Sequence, residues 1–275
     1  MTAEPAVNIQ QGGLRQAARD GLIIAGRNLK RVPRIPELAI FAILQSIMFV
    51  LLFAFVFGGA IPLPGGGSYR EFLMPGIFAQ TVIFASATTA IGICDDINKG
   101  LMDRFRSLPM ARSAVLSGRT IFDVIYQSGI MVVLMVTGLA VGWRVHSGPL
   151  EFLAGVGLLL LFVFAMSWVG VWLGTMVPTV EVANQVAFTV IFPITFLSNV
   201  FVPPESLPAF LEPLAAWNPT SALTAAVREL WGNPNPTLSS GFPAQEPILL
   251  TLIWVAVIVA IFAPLAVRRY TSMSR

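Results

Sequence analysis

The sequence predicts an all-α polytopic membrane protein with six transmembrane helices. Three observations carry that reading. Hydrophobic residues make up 56% of the chain and charged residues only 11%, with a mean hydropathy of +0.78, whereas about a quarter of a soluble domain is charged. Six apolar runs approach the roughly 20 residues needed to cross a hydrocarbon core. Of the 17 Lys and Arg, all but Arg70, Arg144 and Arg228 fall in the N-terminal flank, in one polar island or in the C-terminal tail. That bias places both termini and the island in the cytoplasm, and an even number of crossings agrees with it.

Residues 1–13 read as a flexible tail, and 14–34 as an amphipathic interface helix. Leu14, Ala18, Leu22, Ala25, Leu29 and Val32 fall on one side at helical spacing. Arg15, Arg19, Arg27, Lys30, Arg31 and Arg34 fall on the other. That is the pattern of a helix in the headgroup region of an anionic leaflet; the plainer reading is a solvated basic face. Pro33 and Pro36 turn the chain into the transmembrane domain, 38–267. Span one covers 38–57, followed by a Gly/Pro loop, Gly58 to Ser68. Span two covers 72–93, softened by Pro75 and Gly76. The polar island is Cys94–Arg119. Span three runs 121–142, span four 150–177 and span five 186–202. Within 203–247, Leu207–Leu214 and Ser221–Trp231 are semi-apolar but too short to cross. They read as an external re-entrant helix pair, tolerated only where protein covers the broken backbone. Span six is 248–267, and 268–275 is a cytoplasmic tail.

Within the island, 95–109 predicts a short amphipathic helix. Ile97, Leu101, Phe105 and Leu108 form an apolar stripe, while Lys99, Asp103, Arg104 and Arg106 fall away from it. Pro109 stops the helix. Such an element suits a groove in a partner, and the expectation is that it receives mechanical work from a soluble ATPase. The plainer reading is an ordinary cytoplasmic loop.

Other chemistries are poorly supported. There is no Gly-x-x-x-x-Gly-Lys-Ser/Thr phosphate loop, and Gly65-Gly66-Gly67 lacks the lysine. The chain is therefore not expected to hydrolyse ATP or to hold a cofactor. No ionisable residue falls at the middle of an expected span. Asp95, Asp96 and Asp123 read as interfacial, which argues against ion-driven transport. One cysteine, Cys94, and one histidine, His146, supply neither a metal cluster nor a catalytic set. Gly138–Gly142 and Gly170–Gly174 have the spacing of close helix contacts. Phe78 and Phe84 on span two, with Phe192, Phe196 and Asn199 on span five, are candidates to line a path for amphipathic compounds. Phenylalanine is more often packed or lipid-facing.

Three stretches resemble a known family. DINKGLMDRFRSLPMARSAVLSGR after span two resembles the cytoplasmic signature of ABC-2 type transporter permeases, nearest to the daunorubicin-resistance-type drug-export permeases. FLSNVFVPPESLP at 196–208 and WNPTSALTAAVRELWGN at 217–233 are similar to that family's end of span five and external helices. The resemblance implies two permease subunits, as homodimer or heterodimer, with two separate ATPase subunits that bind ATP and Mg. It implies an N-terminal connecting helix and a coupling helix at Asp96–Leu108, with Phe105 as the apolar knob and Arg104 and Arg106 as its polar rim. Asp95-Asp96 stands where many relatives carry Glu. Spans one and five would form the subunit interface, and spans two and five would flank the substrate. The function expected is outward movement of hydrophobic or amphipathic compounds across the cell membrane, with lipids as neighbours and no nucleic acid. Export of a lipid or lipid-linked glycan is the rival within the family. A passive channel or membrane scaffold is the rival outside it.

Overall fold

The computed structural model describes residues 14–31, 36–57, 68–101, 114–201, 207–208, 210–236 and 241–272. It is helical throughout, with no strand among the described residues. In order, the elements are α1 (Leu14–Arg31), α2 (Pro36–Leu52) running on into a π-helical turn (Phe53–Phe57), α3 (Tyr69–Asn98), α4 (Ala114–Val141), α5 (Pro149–Gly174), α6 (Val180–Phe196), α7 (Glu212–Ala216), α8 (Pro219–Trp231), α9 (Phe242–Gln245) and α10 (Pro247–Ser272). Four of them, α3, α4, α5 and α10, are long and apolar enough to cross a membrane, and two shorter apolar helices lie at 43–56 and 180–196. The chain is thus a polytopic helical membrane protein.

The helix ends have local causes. Pro149 enters α5 at its first turn after an extended Gly148, where its missing N–H costs nothing. The Thr179 side chain accepts from Val182 N–H at the start of α6. Asn218 does the same for Thr220 at the start of α8, with Pro219 next, and Gly232 closes the helix at φ 66°.

Several boundaries differ from the expected ones. Span five was expected at 186–202, but α6 runs 180–196. Thr179 caps it early, and past Pro193 the chain leaves the helix for a turn at 197–201. Seventeen residues make about 25 Å of helix, short of a hydrocarbon core of about 30 Å. α4 begins at Ala114, well before Ile121. α10 continues through Arg268 and Arg269, so the expected tail is helical to Ser272, and Tyr270 is buried. The first short helix of the expected re-entrant pair is a single turn, 212–216, instead of 207–214.

The α1 surface also differs from the expected arc. Gly21, Ile24, Ala25 and Asn28 face α4, while Leu22 and Ile23 are each 60% exposed and Leu29 is also exposed. A Cβ on Gly118 would lie 2.7 Å from Gly21 O. The two backbones meet glycine to glycine, and that contact turns the buried stripe away from Leu22 and Leu29.

α3 is the central element, packed on α5, α6 and α8. Gly170 and Gly174 of α5 lie directly on its backbone: a Cβ on Gly170 would run into Ser86 O, and one on Gly174 would lie 2.5 Å from Ala90 O. Gly138–Gly142 has the same spacing and another use. Gly138 faces the flexible Met74 side chain, and Gly142, at φ 106°, ends α4. The buried apolar side chains form two clusters. The larger includes Phe72, Phe78, Leu134, Phe162 and Trp231. The smaller includes Ile24, Ile93, Leu116, Trp168, Val171 and Tyr270, at the end of the bundle that carries α1.

Candidate functional site

At the α1 end, α3 carries the first residues of the expected coupling helix. Asp95 and Asp96 stand in its last turn, with Lys99 at its cap. Lys99 Nζ lies 2.7 Å from Asp95 Oδ2, and Asp96 is buried. The expected continuous helix from 95 to 109 is interrupted. Gly100, at φ 66°, closes α3, so Ile97 belongs to the long helix and Leu101 follows the break. The apolar stripe is therefore not carried on one straight helix. Arg104, Phe105, Arg106 and Leu108 lie outside the described residues.

About two turns inside that end is a polar cluster that sequence reading placed at the interface. Arg119 Nε lies 3.1 Å from Asp123 Oδ1, one turn along α4. Arg119 Nη2 donates to Thr88 O on α3 at 3.2 Å, and Thr89 Oγ1 donates to Asp123 Oδ2 at 2.7 Å. The Ser167 hydroxyl of α5 donates to Val163 O in its own helix, at 2.9 Å. Gly92 makes room for the guanidinium, because a Cβ there would strike its two terminal nitrogens. Arg119 and Asp123 are buried. Their position follows from the early start of α4, which carries both charges inside the bundle. The signal available in the sequence was the i, i+4 pair of opposite charges just before an apolar run.

The expected path residues separate into three settings. Phe84 meets Phe188 at 5.6 Å and Phe192 at 6.0 Å, between α3 and α6. Phe192 stacks on Phe196 at 5.4 Å, and Phe196 reaches Phe201, which stacks on Phe53 at 4.5 Å. Phe84, Phe192 and Phe196 thus share one aromatic line on the α6 side, to which Phe188, Phe201 and Phe53 add rings not anticipated from sequence. Phe78 is elsewhere: it is 0% exposed and packed edge-on to Trp231 at 5.3 Å and near Trp143 at 5.6 Å. Asn199 is in the buried turn after α6. It borders a cavity of about 20 Å³ shared with Ser221, Ala222, Ala225 and Asn235, room for about one water and not for a drug-sized molecule.

At the other end α8 is fastened by Arg228, which sequence reading counted only as an outside charge. Its side chain is 0% exposed. Nε donates to Phe72 O at 2.9 Å, and Nη2 donates to Asn199 O at 3.0 Å and Val200 O at 3.3 Å. The guanidinium carbon stands 3.6 Å over the Phe72 ring. Beside it, Trp143 Nε1 donates to Asn233 Oδ1, and Asn233 Nδ2 donates to Arg144 O. The loop between α4 and α5 is thereby tied to the end of α8. An arginine inside a semi-apolar segment was the signal that could have found this clamp. Among the described residues, no three of His, Cys, Asp and Glu come together as a metal-binding set.

Comparison with known proteins matches residues 21–230 to the family described as ABC-2 type transporter. The chain is 32% identical over 228 residues to the daunorubicin resistance ABC transporter permease protein DrrB1 of Streptomyces coeruleorubidus, covering 83% of this chain and 77% of that one. It is 26% identical over 266 residues to the probable doxorubicin resistance ABC transporter permease protein DrrC of Mycobacterium tuberculosis, covering 94% and 90%. It is also 27% identical over 201 residues to the doxorubicin resistance permease protein DrrB of the same organism.

Proposed function

This chain belongs to the ABC-2 type transporter family, and on that premise we propose that it is the membrane permease subunit of an ATP-driven exporter of amphipathic, drug-type compounds. The observation that carries the reading is the near full-length similarity to permeases named for daunorubicin and doxorubicin resistance. The energy comes from a separate ATPase subunit, present twice, which binds ATP and Mg. A second permease subunit completes the complex in the cell membrane. Six crossings put both termini in the cytoplasm, with α2 and α6 as the two shorter ones. The exposed Leu22, Ile23 and Leu29 beside Arg19, Arg27 and Lys30 support α1 as the element that rests on anionic headgroups. The aromatic line through Phe84, Phe192 and Phe196 is the lining of the substrate path; Phe78 belongs to the packed core.

Coupling passes through the segment after Gly100, where Phe105 enters the ATPase groove, Arg104 and Arg106 form the rim, and Leu101 and Leu108 back the knob. Asp95, Asp96 and Lys99 brace its root on α3. The test is Phe105→Asp in vesicles holding both subunits, with doxorubicin as the probe. Membrane insertion is expected to be unchanged. Substrate-stimulated ATP hydrolysis is expected to fall about tenfold or more, as for a central aromatic anchor removed from an interface. Normal transport by the variant would end the coupling assignment. Transport by the permease with no ATPase present would favour a passive channel, and stimulation by lipid but not by doxorubicin would favour lipid export.

A further inference from the structure

We infer that the Arg119–Asp123 pair, with Thr89, is a positioning cluster that makes α3 and α4 move together when the coupling segment is pushed. The inference rests on the exporter reading above. Four observations lead to it.

The segment 102–113 is attached at one side to α3 and at the other to α4. Any force on it reaches both helices, and two unlinked helices would scissor instead of carrying the force onward. Asp123 lies about 14 Å into α4 from Ala114, and Thr89 about 14 Å into α3 from Asn98. The cluster therefore joins the two legs at the same depth.

Its bonds run between helices. The Arg119 guanidinium reaches Thr88 O on α3 at 3.2 Å, and the Asp123 carboxylate accepts from Thr89 Oγ1 of α3 at 2.7 Å. One ion pair on α4 thus holds two adjacent residues of α3. Hydrogen bonds to a charged group are the strong kind, and they are directional. An apolar contact at the same place would allow sliding.

The cluster also divides the buried interior. Ala87, Ile130 and Met166 belong to the large apolar cluster on one side. Ile93, Leu116 and Val171 belong to the small cluster on the other. The small cluster includes Ile24 of α1 and Tyr270 of α10, and its Ile93 and Leu116 flank 102–113 in sequence. The polar layer lies at the boundary between the two clusters.

Finally, the surroundings are shaped for the pair. Gly92 on α3 leaves the space the guanidinium fills, and Arg119 lies 5.4 Å from the Phe122 ring centroid. Ionisable side chains inside a membrane bundle are costly. α5 is held to α3 separately, by the close approach at Gly170 and Gly174.

The experiment uses the full complex with its ATPase in vesicles, and reads doxorubicin moved per ATP hydrolysed. Asp123→Asn is expected to lower that ratio about tenfold, and Thr89→Val about threefold, with ATP hydrolysis within about twofold of the parent; both lie within the range of coupling energies. Thr89→Ser restores the donor and is expected to restore the ratio. Thr81→Val is the control, because the Thr81 hydroxyl bonds only within its own helix turn, to Ile77 O. If Asp123→Asn fails to assemble, Thr89→Val decides. An unchanged ratio in Thr89→Val, or a parallel fall of hydrolysis and transport that leaves the ratio intact, overturns the inference. A parent complex that moves no doxorubicin on ATP instead overturns the exporter reading itself.

Discussion

Gly170→Leu is expected to destabilise the protein by about 3 kcal/mol or more, at the upper end of overpacking costs, and to lower its abundance in the membrane several-fold. The cost comes from what a side chain at 170 would meet. The nearest groups are the Ser86 carbonyl and the Thr89 side chain, with backbone first. A flexible side chain would give way by rotating, but a helix backbone gives way only by moving the helix. Moving α3 from α5 would also open the contact at Gly174 one turn on, where Ala90 O is 2.5 Å from the position of a Cβ. It would further stretch the Thr89–Asp123 bond. The matched control is Gly157→Leu on the same helix, where a Cβ meets nothing within 4 Å. That change is expected to stay within about 0.5 kcal/mol, as exposed substitutions do. Thermal unfolding in detergent, read for both variants, checks the pair. Equal stability of the two would show that α3 and α5 do not depend on close approach at this point.

The contrast between the two glycine pairs shows what was legible in the sequence. Both have the same spacing. Only the backbone decides between them, because Gly142 sits at φ 106° in a helix-ending turn while Gly170 and Gly174 sit mid-contact. Long apolar runs and the amphipathic first helix were legible because hydropathy is a property summed over many residues. Their ends were not, since a single cap or turn sets each one: Thr179 for α6, Gly100 for α3. The buried face of α1 escaped for a related reason. Gly21 scores as nothing in an apolar pattern, yet its lack of a side chain is what draws Gly118 onto it. Phe78 and Phe84, six residues apart on one helix, illustrate the limit for site residues. One meets Trp143 and Trp231 and the other meets Phe188 and Phe192, and no local pattern separates them. Charges were hardest of all. Arg119, Asp123 and Arg228 were assigned to surfaces by the rule that charge avoids a membrane, and each is buried because its partners come from distant parts of the chain.

For Arg228, two opposing terms set the expected result. Replacing it by methionine, which keeps much of the volume and the apolar stem, removes the cost of holding a guanidinium away from water. That relief is real, since apolar replacement of complete buried ion pairs is often neutral or favourable. Here, however, only the donor is removed. Phe72 O keeps its helical partner, but the carbonyls of Asn199 and Val200 remain, and a buried acceptor left unpaired costs about 1–3 kcal/mol each. Asn199 and Val200 belong to the turn after α6 and not to a helix, so no helical donor takes over. The contact with the Phe72 ring at 3.6 Å is also lost, worth up to about 2 kcal/mol where solvent is excluded. The acceptors should win, for a net loss of about 3 kcal/mol. Arg228→Lys keeps the charge but replaces the forked donor by a single ammonium, and is expected to fall between parent and methionine. The loss should also be local: α8 would separate from the start of α3 and from the 197–201 turn before the α3–α5 contact is disturbed. Hydrogen exchange resolved along the chain tests this, with faster exchange expected at 197–201 and 219–231 and little change at 149–174. An Arg228→Met protein as stable as the parent, with no faster exchange in α8, would mean that the cost of burying the charge outweighs its three hydrogen bonds.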